Sequence, residues 1–126
     1  MSPIIYHSDV KPTLEQAITP YRHCSLGERR PLIDTIRFQA MLDNTNLLIT
    51  AWHDNKLIGI ARYLTDFVYI TYFADLAVDE DYQRQGIGKQ LIKEVKNNTD
   101  KACSITLLAT PQVVDYYGYI GFNTHP

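Results

Sequence analysis

Cysteine is scarce: Cys24 and Cys103 are the only two in 126 residues. A chain of this length can bury a core without disulfide staples, so both are read as reduced thiols. Neither has a second cysteine or a histidine at a tight zinc-ligand spacing. His7, His23, His53 and His125 are scattered, and no metal site is expected. A basic excess is also missing, with 12 lysines and arginines against 14 acids and a formal net charge of −2. That balance argues against a nucleic-acid binder held by phosphate contacts, while leaving room for a local anion site. No apolar run approaches the roughly 20 residues that span a bilayer. The opening MSPIIYHSDVKP has no basic start followed by a long apolar stretch, so it does not read as a secretory signal. The expectation is a cytoplasmic protein with neither nucleic acid nor membrane as partner.

What is present is an ordinary globular balance, 45% apolar and 21% charged, with no internal repeat or linker, so residues 1–126 are read as a single domain. Ile4–His7 is a short opening strand. Leu14, Ala17 and Ile18 recur at helical spacing, with Pro20 expected to close that segment. A second helix is expected over Ile33–Leu42, with Ile33, Ile36, Ala40 and Met41 inward. Leu47–Trp52 and Leu57–Leu64 flank Asp54-Asn55, a hairpin turn. Val68–Val78 is a long central strand, with Val68, Ile70, Tyr72, Ala74, Leu76 and Val78 on one face and Tyr69, Thr71, Phe73, Asp75 and Ala77 on the other. Asp79 and Glu80 read as solvated turn residues, and His53 as exposed and uninvolved. Ile87, Leu91, Ile92 and Val95 then stripe a helix over Gly86–Asn97. Ser104–Ala109 is a buried strand parallel to the central one. Thr110 caps a last helix, with Pro111 in its first turn and Gly121 at its end.

The segment richest in chemistry is Gln83-Arg84-Gln85-Gly86-Ile87-Gly88-Lys89, between the long strand and the amphipathic helix. Two glycines allow a tight turn whose amides converge on one anion at the positive end of a helix. A dinucleotide fingerprint would need glycine or alanine at Leu91, and a P-loop would need glycine at Gln83 and Ser or Thr at Gln90. Both are excluded.

The remaining pattern resembles the GNAT superfamily of acyl-CoA-dependent N-acetyltransferases. Its loop reads Gln/Arg-x-x-Gly-x-Gly/Ala, matched here by Gln83, Gly86 and Gly88. Asp75-Leu76-Ala77-Val78-Asp79 is similar to the strand that holds the pantetheine arm, and Tyr116-Tyr117-Gly118-Tyr119-Ile120-Gly121-Phe122 to the family's aromatic-Tyr-x-x-x-Gly-Phe segment. The resemblance implies a mixed α/β fold: a mostly antiparallel sheet, splayed at one parallel strand pair and flanked by about four helices. It implies acetyl-CoA as cofactor, with pantetheine along Leu76, Ala77 and Val78 and the pyrophosphate on the amides of Gln85, Gly86, Ile87, Gly88 and Lys89. Arg84 is either a further phosphate partner or a solvated charge.

The implied reaction moves an acetyl group onto a primary amine of a small molecule or peptide. Tyr117 is the candidate general acid that protonates the leaving sulfur, and Tyr116 packs inward. Asp75 is the candidate general base, the other reading being a carboxylate satisfied by a salt bridge. A non-catalytic acyl-CoA-binding regulatory module is the alternative function. The chain stops four residues after Phe122, where family members usually add a strand, and a homodimer partner is expected to cover the open edge.

Overall fold

The computed structural model describes residues 2–24, 27 and 30–107. Among them, five strands form one sheet in sequential order: β1 (Ile4–His7), β2 (Leu47–His53), β3 (Lys56–Thr65), β4 (Ile70–Val78) and β5 (Ser104–Leu107). The first four pair antiparallel, and β4 pairs with β5 in parallel. Helices α1 (Leu14–Arg22) and α2 (Thr35–Asp43) lie between β1 and β2, and α3 (Ile87–Lys96) crosses from β4 to β5. The mixed sheet with one parallel pair is the expected architecture. The expected last helix, with Thr110, Pro111, Tyr116, Tyr117 and Gly121, falls outside the described residues.

Local chemistry accounts for the helix starts. Thr13 and Gln16 form a reciprocal capping box, the Thr13 hydroxyl accepting from the Gln16 amide at 3.1 Å and the Gln16 side chain from the Thr13 amide at 2.9 Å. Pro20 does not end α1. It sits in the last turn, fully buried, and the helix runs on through Arg22. A proline there removes a single helical bond, and close packing holds the turn. In α2 the inward face differs from expectation. Asp34 accepts from the Arg37 amide at 3.1 Å and starts the helix at Thr35. Phe38 and Leu42 are buried, whereas Ile33 and Ile36 are 98% and 85% exposed. The bulk of Phe38 decides the phase, since its ring meets Tyr21 edge-on at 5.1 Å.

Two apolar clusters cover the two faces of the sheet. On one, Ile87, Leu91, Ile92 and Val95 of α3 pack on the sheet around Ile49, Ala61 and Tyr63. On the other, Ala17, Ile18 and Tyr21 of α1 join Phe38 and Leu42 of α2 over Ile60 and Ala77. Helix α3 lies very close to β3. A Cβ on Gly59 would come within 3.2 Å of Leu91 Cδ1 and 3.3 Å of Ile87 Cγ2.

The long strand departs from simple alternation. Tyr63 pairs with Phe73, but Arg62 pairs with Asp75, leaving Ala74 as an extra residue in a β-bulge. The expected two faces of Val68–Val78 are therefore exchanged partway along. Phe73 stacks on Tyr63 at 4.8 Å in the cluster under α3. Asp75 and Ala77 turn to the α1 side, and Leu76 and Val78 to the α3 side. The strand also begins later than expected, at Ile70. The Asp66 carboxylate accepts from the amides of Val68, Tyr69 and Ile70 and folds that stretch into a turn.

Candidate functional site

The turn between β4 and α3 is built to leave backbone donors open. A single 3-10 turn, Glu80–Tyr82, follows β4. The Gln83 side chain then reaches back and donates to the Val78 carbonyl at 2.9 Å. Arg84 and Gly86 both have left-handed backbones, with φ of 66° and 82°. For Arg84 that conformation costs roughly 1–2 kcal/mol, strain of the kind that concentrates at functional turns. Gly86 caps α3 without a side-chain hydrogen bond, and the first bond into the helix runs from the Gln90 amide to the Gly86 carbonyl at 3.0 Å. Among the described residues, the backbone N–H groups of Arg84, Gln85, Gly86, Ile87, Gly88 and Lys89 donate to no protein acceptor. No heavy atom lies within 4 Å of where a Gly86 Cβ would stand. An exposed row of donors at a helix N-terminus is suited by its physics to an anion.

At the same end of the sheet, one edge of β4 has no partner strand among the described residues. The ladder between β4 and β5 covers Ile70–Phe73 against Ser104–Leu107. Among the described residues, Asp75–Val78 pair only with β3, and the bulged Ala74 has no register partner. The side chains of Leu76 and Val78 are half-buried under α3, and Ala77 is buried on the opposite face. These residues can offer a ligand their backbone edge. Ile87 is likewise a core residue by its side chain, leaving its amide for the turn.

Asp75 is 2% exposed and accepts from three donors: the Tyr21 hydroxyl at 2.8 Å, Arg30 Nε at 2.7 Å and Arg62 Nε at 2.7 Å. Arg30 also donates to the carbonyl of the bulged Ala74 at 3.3 Å. Burial, the largest single influence on Asp75, pushes its pKa up. The Arg30 hydrogen bond and the Arg62 charge and hydrogen bond outweigh it, and the carboxyl lies below the ordinary aspartate range. Burial and the Asp75 charge together push the Tyr21 phenol well up. A carboxylate so surrounded is held ionised and is a poor proton acceptor.

At the foot of the turn, Asp79 is fully buried, contrary to the expectation of a solvated residue. It accepts from the Asp81 amide at 3.0 Å and contacts His23 Nδ1 at 3.2 Å and Lys56 Nζ at 3.6 Å. Burial again pushes its pKa up most strongly, and the Asp81 amide, His23 and Lys56 more than reverse it. His53 is also engaged, with Nδ1 2.7 Å from the Tyr82 hydroxyl. Glu80 is exposed as expected. Among the described residues no cluster of His, Cys, Asp and Glu could hold a metal, and no helix is long and apolar enough to cross a membrane.

Residues 30–125 match the family model of the GNAT acetyltransferase domain. The chain belongs to that family. Relatives of the GNAT chain include the N-acetyltransferase ycf52 of Gracilaria tenuistipitata var. liui, 34% identical over 104 residues covering 78% of this chain and 56% of the relative. A chloroplastic GCN5-related N-acetyltransferase of Arabidopsis thaliana is 37% identical over 75 residues, covering 58% of this chain and 29% of its own length. The chain thus spans about half the length, or less, of these curated relatives. Among solved structures, a GNAT-family acetyltransferase of Streptococcus pneumoniae superposes with a TM-score of 0.71 at 27% identity, covering 98% of this chain and 88% of that one. An aminoglycoside N-acetyltransferase in complex with CoA shares the fold, with a TM-score of 0.74 at 17% identity and coverage of 100% and 91%.

Within this GNAT fold the structure joins Gln83 through Lys89 into one turn and sets Asp75 on the sheet face packed by α1. Tyr117 lies outside the described residues. Sequence reasoning assigns no role to Arg62, Arg30 and Tyr21 around Asp75, or to His23, Lys56 and Tyr82 below the turn, and His53, expected to be exposed and uninvolved, is instead bonded to Tyr82. Arg62 carries a legible signal. It is the one cation inside the apolar run Leu57–Leu64, facing a single acid on the next strand. Arg30 carries none, because it enters from a connection whose path no periodicity specifies.

Proposed function

We propose that the chain is an acetyltransferase that takes the acetyl group of acetyl-CoA and passes it to an amine, with the turn from Arg84 to Lys89 holding the cofactor's pyrophosphate. The observation that carries this reading is the run of backbone N–H groups without protein acceptors at the start of α3. The residues present fit the group. The space at Gly86 admits a phosphate against bare backbone, and the edge of Asp75–Ala77 away from β3, which pairs with no described strand, can take the amides of a pantetheine arm by strand-like pairing. When bound, the cofactor supplies an acetyl group already activated as a thioester.

The chain's own residues orient the acetyl group and manage protons. A lysine-like amine with a pKa near 10.4 is neutral in only a few parts in ten thousand at pH 7, a handicap of roughly 4–5 kcal/mol. Of the two readings of Asp75, its three donors favour the satisfied carboxylate. It holds Arg30, Arg62 and Tyr21 together below the bulge, and water is left as the acceptor of the amine's proton. Tyr117 is the proposed proton donor to the sulfur. The acceptor is proposed as a small molecule or peptide carrying a primary amine.

Gly86→Glu tests the turn, because it puts a carboxylate where the phosphate would lie on a backbone already left-handed. Calorimetry should show CoA affinity falling tenfold or more, with the circular dichroism spectrum unchanged. Unaltered affinity would remove the turn from the cofactor site. Turnover of acetyl-CoA with any member of an amine panel separates the enzyme from a non-catalytic acyl-CoA-binding module, which would bind CoA and transfer nothing.

A further inference from the structure

We infer that Asp79 and Tyr82 are positioning residues for the anion-binding turn, and that the end of the β2–β3 hairpin belongs to the cofactor site without touching the cofactor. This rests on the reading of Arg84–Lys89 as the pyrophosphate turn.

An anion held by backbone amides demands that the amides stay in place, because a main chain has no side-chain rotamers with which to follow its ligand. The segment that presents them cannot support itself. Gln83 through Gly86 is exposed and includes two left-handed residues. Its position is therefore set one turn earlier, by contacts that converge from three elements. From α1, the His23 carbonyl accepts from the Glu80 amide at 2.9 Å, and the His23 ring meets the Asp79 carboxylate. From β3, the Ile58 carbonyl accepts from the Asp79 amide at 2.9 Å, and Lys56 meets the same carboxylate. From the end of β2, His53 bonds the Tyr82 hydroxyl, and the two rings meet edge-on at 5.5 Å. Lys56 Nζ lies 5.8 Å from the centre of the Tyr82 ring.

Asp79 is the hub. Its carboxylate meets the Asp81 amide, the His23 ring and the Lys56 ammonium, and its carbonyl accepts from the Tyr82 amide at 2.8 Å. A fully buried carboxylate on a turn is costly unless partnered, and here the His23 ring and the Lys56 ammonium, from separate parts of the chain, partner it. The turn is thereby tied to the sheet and to α1 at residues 79, 80 and 82. Only Arg84, Gln85 and Gly86 remain to span the gap to the helix. Tyr82 and His53 hold the outer side of the same foot.

The test uses Tyr82→Phe, which keeps the ring and removes only the bond to His53, together with His53→Ala and the double variant. CoA is titrated calorimetrically, alongside pantetheine, which lacks the pyrophosphate. Each single variant should weaken CoA about three- to tenfold, the scale of one hydrogen bond, and leave pantetheine unchanged. The double variant should lose no more than the worse single. Equal losses for CoA and pantetheine, or none for CoA, would overturn the inference. Amide exchange of Asp81 and Tyr82 should also quicken by a similar factor in Tyr82→Phe, and unchanged exchange would overturn the positioning role independently of any ligand. A wild-type protein that fails to bind CoA would instead overturn the pyrophosphate reading of the turn.

Discussion

Two neighbouring tyrosines carry the proton-transfer proposal in opposite ways. On the helix expected from the sequence, successive residues would point about 100° apart, so only one of Tyr116 and Tyr117 is proposed to face the sulfur. Positioned proton transfer is worth about 10²–10⁴ in rate. Tyr117→Phe is therefore expected to lower kcat by at least about a hundredfold with little change in CoA affinity, and Tyr116→Phe to do much less. Small and equal effects in a steady-state assay would leave protonation to solvent. At this scale the sequence was legible wherever backbone geometry was the requirement. Gly86, left-handed at 82°, is such a position. It was illegible where a residue's role depends on its partners. Asp75 reads equally well as a base or a satisfied carboxylate until Arg30, Arg62 and Tyr21 are seen around it, and Asp79 reads as surface until His23 and Lys56 arrive from elsewhere in the chain.

Among the elements, α3 and β3 illustrate how closely the turn before α3 depends on packing. The stripe Ile87, Leu91, Ile92 and Val95 was plain in the sequence and is buried as expected. The approach of that helix to Gly59 was not, because glycine in a strand leaves no pattern of its own. Two methyl groups at Gly59 would press on Leu91, Ile87 and Ala51, and Ile87 carries one of the open amides. Gly59→Val is expected to cost about 1–3 kcal/mol in urea unfolding and to weaken CoA as well, by displacing the start of α3. A loss of stability without any loss of CoA affinity would uncouple the helix position from the turn. The phase of α2 failed for a related reason. Periodicity offered Ile33 and Ile36, while the Asp34 cap and the contact of Phe38 with Tyr21 selected the other side.

For the molecule as a whole, the buried carboxylates set the response to acid. Asp75 and Asp79 both titrate lower in the fold than the ordinary value near 3.9. The unfolded chain thus binds protons first as pH falls, and the stability these groups contribute is complete above about pH 5 and lost as pH drops through their lowered folded values. Asp75→Asn leaves two guanidiniums around a neutral amide, which should cost about 3–5 kcal/mol at pH 7. The gap in urea midpoint between wild type and variant should narrow steadily as pH falls below about 4 toward the lowered folded value of Asp75, and a constant gap at all pH values would assign the stability to shape alone. The order of strands and helices, and the parallel pair, followed from hydrophobic period and turn residues. The bulge did not, because Ala74 is a residue any strand accepts. Its effect reaches further than its size. Alternation in a strand is a parity rule, and one supernumerary residue inverts the parity of everything after it. Were Ala74 to take a regular place in the alternation, the pairing that seats Phe73 on Tyr63 would send Asp75 into the apolar layer beneath α3 and Leu76 toward the arginines. A one-residue slip of β4 in either direction thus strands a charge among hydrocarbons, and the bulge acts as a frame lock that admits a single pairing of β4 with β3.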